Sequence, residues 1–161
     1  MGNKWIKQFA IILFVLLILY FLFYTTQALE SDFERAVEFV LKWEGGYVKD
    51  DPGGETNFGI SKNSYPELDI SSLTVEQVKP IYYQDYWLKA GCDELNQPLD
   101  IIVFDTAVNM GVSKAKEFLE ESSDWKDYLF LRIEFYTESS KSNVYLRGWI
   151  NRVVDLYKEG K

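Results

Sequence analysis

The chain has 161 residues, of which 47% are hydrophobic, 17% aromatic and 26% charged, a composition that suits one globular domain with a real core and excludes a disordered chain. Seventeen Lys and Arg stand against twenty-five Asp and Glu, a formal net charge of −8, which argues against a nucleic-acid partner held by phosphate contacts. There is no histidine, so Ser/His/Asp and Cys/His nucleophile systems and HExxH zinc sites are excluded, and acid/base chemistry falls to carboxylates, Lys or Tyr.

Residues 9–24 form an unbroken apolar run, preceded by Lys4 and Lys7 and followed by Glu30, Asp32 and Glu34. The run predicts a transmembrane helix, and the lysines place the N-terminus in the cytoplasm and the rest of the chain outside. A cleaved signal peptide is the alternative, because Thr26 and Ala28 are small residues at the spacing a signal peptidase requires. The expected organisation is an anchor or signal segment over 1–28 and a globular domain over 29–161. That domain loses Lys4 and Lys7 but no acid, so it is more acidic still.

In the domain, Ser31-Asp32-Phe33-Glu34 has the spacing of a capping box, and Phe33, Ala36, Val37, Val40 and Leu41 recur behind it at helical spacing. This predicts a helix that ends near Trp43 or Glu44, at Gly45-Gly46. Residues 47–64 turn to Asp, Pro, Gly, Thr and Asn and predict turns with a short extended stretch at 57–61. Thr74-Val75-Glu76-Gln77 is a second capping box, opening a helix through Trp87 that Pro80 should kink. Residues 98–109 predict a largely buried helix, and three more helices are expected near 113–121, 124–138 and 145–158, the first two with Ser or Asp caps. The class is mainly α with a minor β element.

Glu44 is the first candidate for chemistry. The negative end of its helix and the neighbouring Trp43 both disfavour a carboxylate, which would suit a proton donor; a solvated glutamate at a helix end is the alternative. The loop that follows holds Asp50, Asp51, Glu55, Thr56 and Asn57. Glycoside hydrolysis requires two carboxylates, one to protonate the leaving oxygen and one to attack or to activate water, and this loop could supply the second. It could equally be a surface turn, and it lacks the register of a calcium loop. No metal site and no cofactor is expected.

The string Trp43-Glu44-Gly45-Gly46-Tyr47, followed by Asp51-Pro52-Gly53-Gly54-Glu55-Thr56-Asn57-Phe58-Gly59-Ile60-Ser61, resembles glycoside hydrolase family 108, the N-acetylmuramidases. The resemblance continues through Tyr82-Tyr83, Tyr86-Trp87, Cys92-Asp93, Pro98-Leu99, the run from Val103 to Asn109, and Gly111. It ends in Arg132, Phe135-Tyr136, Gly148-Trp149 and Asn151-Arg152-Val153, which are similar to that family's C-terminal peptidoglycan-binding region, so that it spans roughly residues 33–155. It implies a lysozyme-like α+β fold and cleavage of the β-1,4 bond between N-acetylmuramic acid and N-acetylglucosamine in peptidoglycan, with Glu44 as general acid. The stretch between Tyr47 and Asp51 is shorter than the family pattern. The order Glu44, Asp51, Thr56 is loosely similar to the Glu, Asp, Thr trio of phage-type lysozymes, which favours Asp51 as second carboxylate, keeps Asp50 in reserve and gives Thr56 the attacking water.

Asp105 and Asn109 share a helix face and either hydrogen-bond sugar groups or tie helices together. Tyr47 and Trp149 are candidates for stacking on sugar rings and Asn57 is a further substrate-binding candidate. Arg152 either meets a muramyl or peptide carboxylate or pairs with one of the many acids. Cys92, with no partner in the chain, is expected to be a buried structural thiol. The sequence thus predicts a monomeric, membrane-anchored muramidase whose partners are peptidoglycan strands, or a secreted one after signal cleavage. An inactive peptidoglycan-binding or secretion-associated protein and a lytic transglycosylase are the alternatives.

Overall fold

The computed structural model describes residues 2–50 and 54–161, and the chain divides into two compact units, Met1–Asp32 and Phe33–Lys161. The first unit is helical. From Trp5 to Tyr24 every large apolar side chain is exposed, and the mean hydropathy of its most apolar window is 2.5, long and apolar enough to cross a membrane. Such a helix near an N-terminus is equally the hallmark of a signal sequence.

Helix α1 is continuous over Gly2–Trp43, which corrects the expected start at Ser31. No Gly or Pro interrupts residues 25–31, so helical propagation outcompetes the capping box. The Thr25 and Thr26 hydroxyls donate back to the Leu22 and Phe23 carbonyls at 2.9 and 2.8 Å, as threonines inside a helix do. The helix ends at Gly45-Gly46, as predicted.

In the second unit, the residues of α1 at helical spacing, Phe33, Ala36, Val37 and Val40, are buried. They pack with helix α4, Leu99–Met110, whose residues Ile101 to Ala107 are fully enclosed. Side chains such as these contribute about 1.5–3 kcal/mol each on burial. Phe33, Tyr82, Trp87 and Phe104 meet edge to face, with centroids 5.5 to 5.9 Å apart. A wholly apolar environment could not hold Asp105 and Thr106, which lie in the same buried stretch. What satisfies them is the key to the site.

The stretch expected to be one extended segment is a hairpin, β1 Thr56–Asn57 antiparallel to β2 Ile60–Ser61, with Asn57 opposite Ile60. Its two-residue turn, Phe58-Gly59, has positive φ at both positions, +50° and +70°, the twist that suits a tight hairpin. A bridge between Val48 and Thr56 ties the chain leaving α1 to this hairpin.

Helix α2, Val75–Ile81, begins as predicted, with the Gln77 side chain accepting the Thr74 N–H at 2.9 Å. Beyond Pro80 the coil widens to a π-helical segment, Tyr82–Trp87, where the Leu88 N–H reaches five residues back to the Tyr83 carbonyl. Helix α3 is Leu88–Ala90. Helix α5, Val112–Glu121, starts directly after Gly111, so Ser113 lies inside its first turn and does not cap it. Asp124 does cap α6, Trp125–Glu138, accepting the Lys126 and Asp127 N–H groups at 2.7 and 2.9 Å. Helix α7, Ser142–Glu159, starts three residues before the expected Tyr145.

Candidate active site

Glu44 is the residue after α1, its N–H still bonded to the Val40 carbonyl at 2.8 Å. Its side chain is 16% exposed, so it reaches solvent without being solvated on all sides. Its two oxygens have different neighbours. Oε1 forms an ion pair with Arg152 Nη1 at 2.8 Å, and Oε2 faces the hairpin turn at Gly59. A Cβ on residue 59 would stand 3.1 Å from that oxygen, at a φ of +70° that side chains rarely adopt. Glycine is therefore required twice over, for the turn and for room beside the carboxylate. The turn is pinned from the other side by Tyr82, whose hydroxyl donates to the Phe58 carbonyl at 2.5 Å. Burial, and next the charge of Glu44, push the Tyr82 phenol well above its ordinary pKa, so it remains a neutral donor.

Behind Glu44 runs a buried line of alternating charge. Arg152 Nε donates to both Asp105 oxygens at 2.9 and 3.1 Å, and its Nη2 lies 2.7 Å from Asp105 Oδ1. On the far side Arg132 Nη1 is 2.7 Å from Asp105 Oδ2 and donates to the Thr106 hydroxyl at 3.1 Å. Arg132 also donates to the Tyr136 hydroxyl from Nε and Nη2, both at 3.0 Å, and that hydroxyl donates to Asn109 Oδ1 at 2.7 Å. Asp105 and Arg132 are wholly buried. Burial works against the Arg152 charge, but Asp105 and then Glu44 outweigh it, and its pKa is raised. Arg152 thus pairs with acids of this chain, two of them, and Asp105 ties α4 to α6 and α7.

The other predicted residues are placed as follows. Thr56, in β1, exchanges backbone hydrogen bonds with Val48 at 2.8 and 2.9 Å, and its hydroxyl donates to the Gly54 carbonyl at 3.1 Å. Asp50 is exposed. Asp51 lies outside the described residues; the chain on either side of it is tied together by the Val48–Thr56 bridge. Asn57 is 5% exposed and donates to the Ile70 carbonyl at 3.1 Å, anchoring the hairpin to the 3-10 turn Ile70–Ser72. Tyr47 is exposed and donates to Glu55 Oε1 at 3.1 Å. Trp149 stacks on Tyr136, centroids 4.7 Å apart at 16°. Cys92 is buried, and burial pushes its thiol pKa up, as an inert structural cysteine requires. Among the described residues no cluster of acids and cysteines is arranged to hold a metal.

A polar groove of about 460 Å³ is walled on one side by Ser64 and Tyr65, just beyond the hairpin, and on the other by Asp85, Tyr86, Lys89 and Val112 of the helical body. Asp85 accepts from Tyr65 at 2.9 Å and from Lys89 at 2.5 Å. Tyr86 sits beside Tyr82, centroids 6.1 Å apart. Sequence reasoning passed over Tyr65, Asp85 and Lys89, because their grouping depends on the π-helical segment, which no pattern announces. It also gave Arg132 no role of its own. A signal was present: a buried Asp105 needs a cation, and the chain has only four arginines.

Residues 37–111 match the family model described as Glycosyl hydrolase 108. The matched segment contains Glu44, the hairpin, the groove residues up to Lys89, and Asp105. It stops at Gly111, so the match does not extend to the residues expected to form a C-terminal peptidoglycan-binding region. The fold is similar to the solved structure of Brucella abortus SagA, with a TM-score of 0.70 and 22% identity over 81% of this chain and 94% of that one. No curated protein sequence matches the chain.

Proposed function

We propose that this chain is a peptidoglycan hydrolase that cleaves the β-1,4 bond between N-acetylmuramic acid and N-acetylglucosamine, with Glu44 as the proton donor. The observation that carries the reading is the placement of Glu44, a partly exposed carboxyl group set against the Gly59 turn within the segment that matches a glycoside hydrolase family. Glu44 delivers its proton to the glycosidic oxygen as the bond to the muramyl C1 breaks, and the N-acetylglucosamine end departs as an alcohol. Asp51 takes a proton from a water held with Thr56, and that water adds to C1. In this mechanism the two carboxyl groups stand about 6.5–9.5 Å apart, the separation that admits a water and gives inversion. The groove beside Tyr65 and Tyr86 supplies the polar and aromatic surfaces on which a glycan strand would lie.

No cofactor takes part. The domain works as a monomer outside the cytoplasmic membrane, held there by the apolar helix of the first unit. Tethering supplies the proximity that an acidic body cannot obtain by attraction to an anionic wall.

Release of soluble fragments from dye-labelled peptidoglycan tests the reading. The expected result is dye release by wild type, release slowed by about 100-fold or more in Asp51→Asn, and release near wild type in Asp50→Asn. The reverse order of the two variants makes Asp50 the partner. Full activity in both, with Glu44→Gln dead, favours a lytic transglycosylase, which needs no activated water. No release by wild type favours an inactive binding protein.

A further inference from the structure

We propose that Arg152 is the positioning residue of the site: by holding Oε1 of Glu44 it fixes Oε2, the oxygen beside Gly59, as the one that delivers the proton. The inference rests on Glu44 being the proton donor and says how the fold aims it. A glutamate side chain has three rotatable bonds, and one at a helix end followed by two glycines has little backbone to restrain it. Arg152 supplies the restraint from α7, more than one hundred residues away in sequence, with Nη1 at 2.8 Å from Oε1. It is not free to drift. Its Nε and Nη2 are engaged by Asp105 at 2.7 to 3.1 Å, Asp105 is engaged by Arg132 at 2.7 Å, and Arg132 is held by Tyr136 and Thr106. The planar fork of a guanidinium meets two carboxylates through separate N–H groups in a fixed geometry, whereas an ammonium is a point charge on a flexible stem and does not preset one. The side chains of Asp105, Arg132 and Arg152 are 0%, 0% and 5% exposed, so little water competes for these contacts.

The arrangement has a chemical consequence as well. Once Glu44 has given up its proton it is an anion, and the Arg152 cation already stands where that charge develops, with no reorganisation needed. The groups that face Glu44 among the described residues are Arg152 from α7, Asp105 behind it on α4, and the phenols of Tyr82 and Tyr86 from the π-helical segment. Lys42, on its own helix, is paired with Asp155 at 2.7 Å. The Phe58-Gly59 turn presents no titratable side chain. Among the described residues, Arg152 is thus the cation that stands against the Glu44 carboxyl group.

The experiment compares wild type, Arg152→Met and Arg152→Lys in the full-length chain in detergent, measuring kcat and KM on soluble peptidoglycan fragments across pH, with circular dichroism to normalise for folded protein. Arg152→Met is expected to lower kcat by about 100-fold, the loss associated with a misplaced catalytic group, with KM little changed, and to move the alkaline limb of kcat to higher pH. Arg152→Lys is expected to restore the limb, because the charge returns, but only part of kcat, because the fork does not. If Arg152→Met shows wild-type kcat and an unmoved limb per folded molecule, Arg152 is only structural and the inference is overturned. Failure of the underlying reading has a different signature: Glu44→Gln as active as wild type, whatever Arg152 does.

Discussion

Glu44→Gln is expected to fold like the parent and to release no measurable fragments from peptidoglycan. The amide is nearly isosteric and keeps an oxygen to face Arg152 Nη1, now 2.8 Å from Oε1, while its other terminus still fits beside Gly59. What it lacks is an acidic proton. A positioned general acid is worth about 10²–10⁴ in rate, and among the described residues no second carboxyl group stands at the Gly59 turn to replace it. Dye release from purified peptidoglycan, with circular dichroism as the folding control, checks this. Wild-type release by a folded Glu44→Gln protein would remove Glu44 from the mechanism.

Asp105→Ala should be the most damaging substitution for the fold itself. Asp105 is wholly buried between two guanidinium groups, and among the described residues its carboxylate alone pairs with both Arg132 and Arg152. Removing it leaves like charges facing each other in a region sealed from water, with Glu44 able to compensate only Arg152. Breaking a buried ion network by deleting one partner costs about 3–5 kcal/mol, a large share of the about 5–15 kcal/mol that holds an ordinary domain together. Urea unfolding followed by tryptophan fluorescence should show the midpoint fall steeply for Asp105→Ala. Asp50→Asn, at an exposed position, should stay within about 0.5 kcal/mol of wild type. A change below about 1 kcal/mol for Asp105→Ala would mean that water or a shifted side chain compensates both arginines.

Local chemistry was legible in the sequence, and long-range pairing was not. The Gly45-Gly46 stop, the Thr74/Gln77 back-bond and the Asp124 cap are each encoded within a few residues, and all three form. The Ser31 capping box has the same local signature, yet the helix does not begin there: α1 already starts at Gly2, and no Gly or Pro before Ser31 ends it. Asn57, Phe58, Gly59 and Ile60 suggested one extended piece, since the positive φ at Phe58 that makes a tight hairpin is not a preference of phenylalanine. The Glu44 position was legible from its helix end, the glycines after it and the family-like string around it. The environment of its carboxyl group was not. The helix end and Trp43 were visible beside it, whereas Arg152, which pairs with it, arrives from the far end of the chain through a contact no periodicity encodes. Asp105 and Asn109 shared a face as expected, and the alternative that they tie helices describes the contacts they make with Arg132, Arg152 and Tyr136.

The central claim is that Glu44 drives hydrolysis of the muramyl bond, and the most direct test is the mass of the products. Purified peptidoglycan digested by the full-length chain, separated by liquid chromatography and weighed, should yield fragments ending in a reducing N-acetylmuramic acid, with one water added per bond cleaved. They should be absent from the Glu44→Gln digest. Fragments lighter by one water, ending in anhydro-muramic acid, or ending in reducing N-acetylglucosamine, would contradict the account.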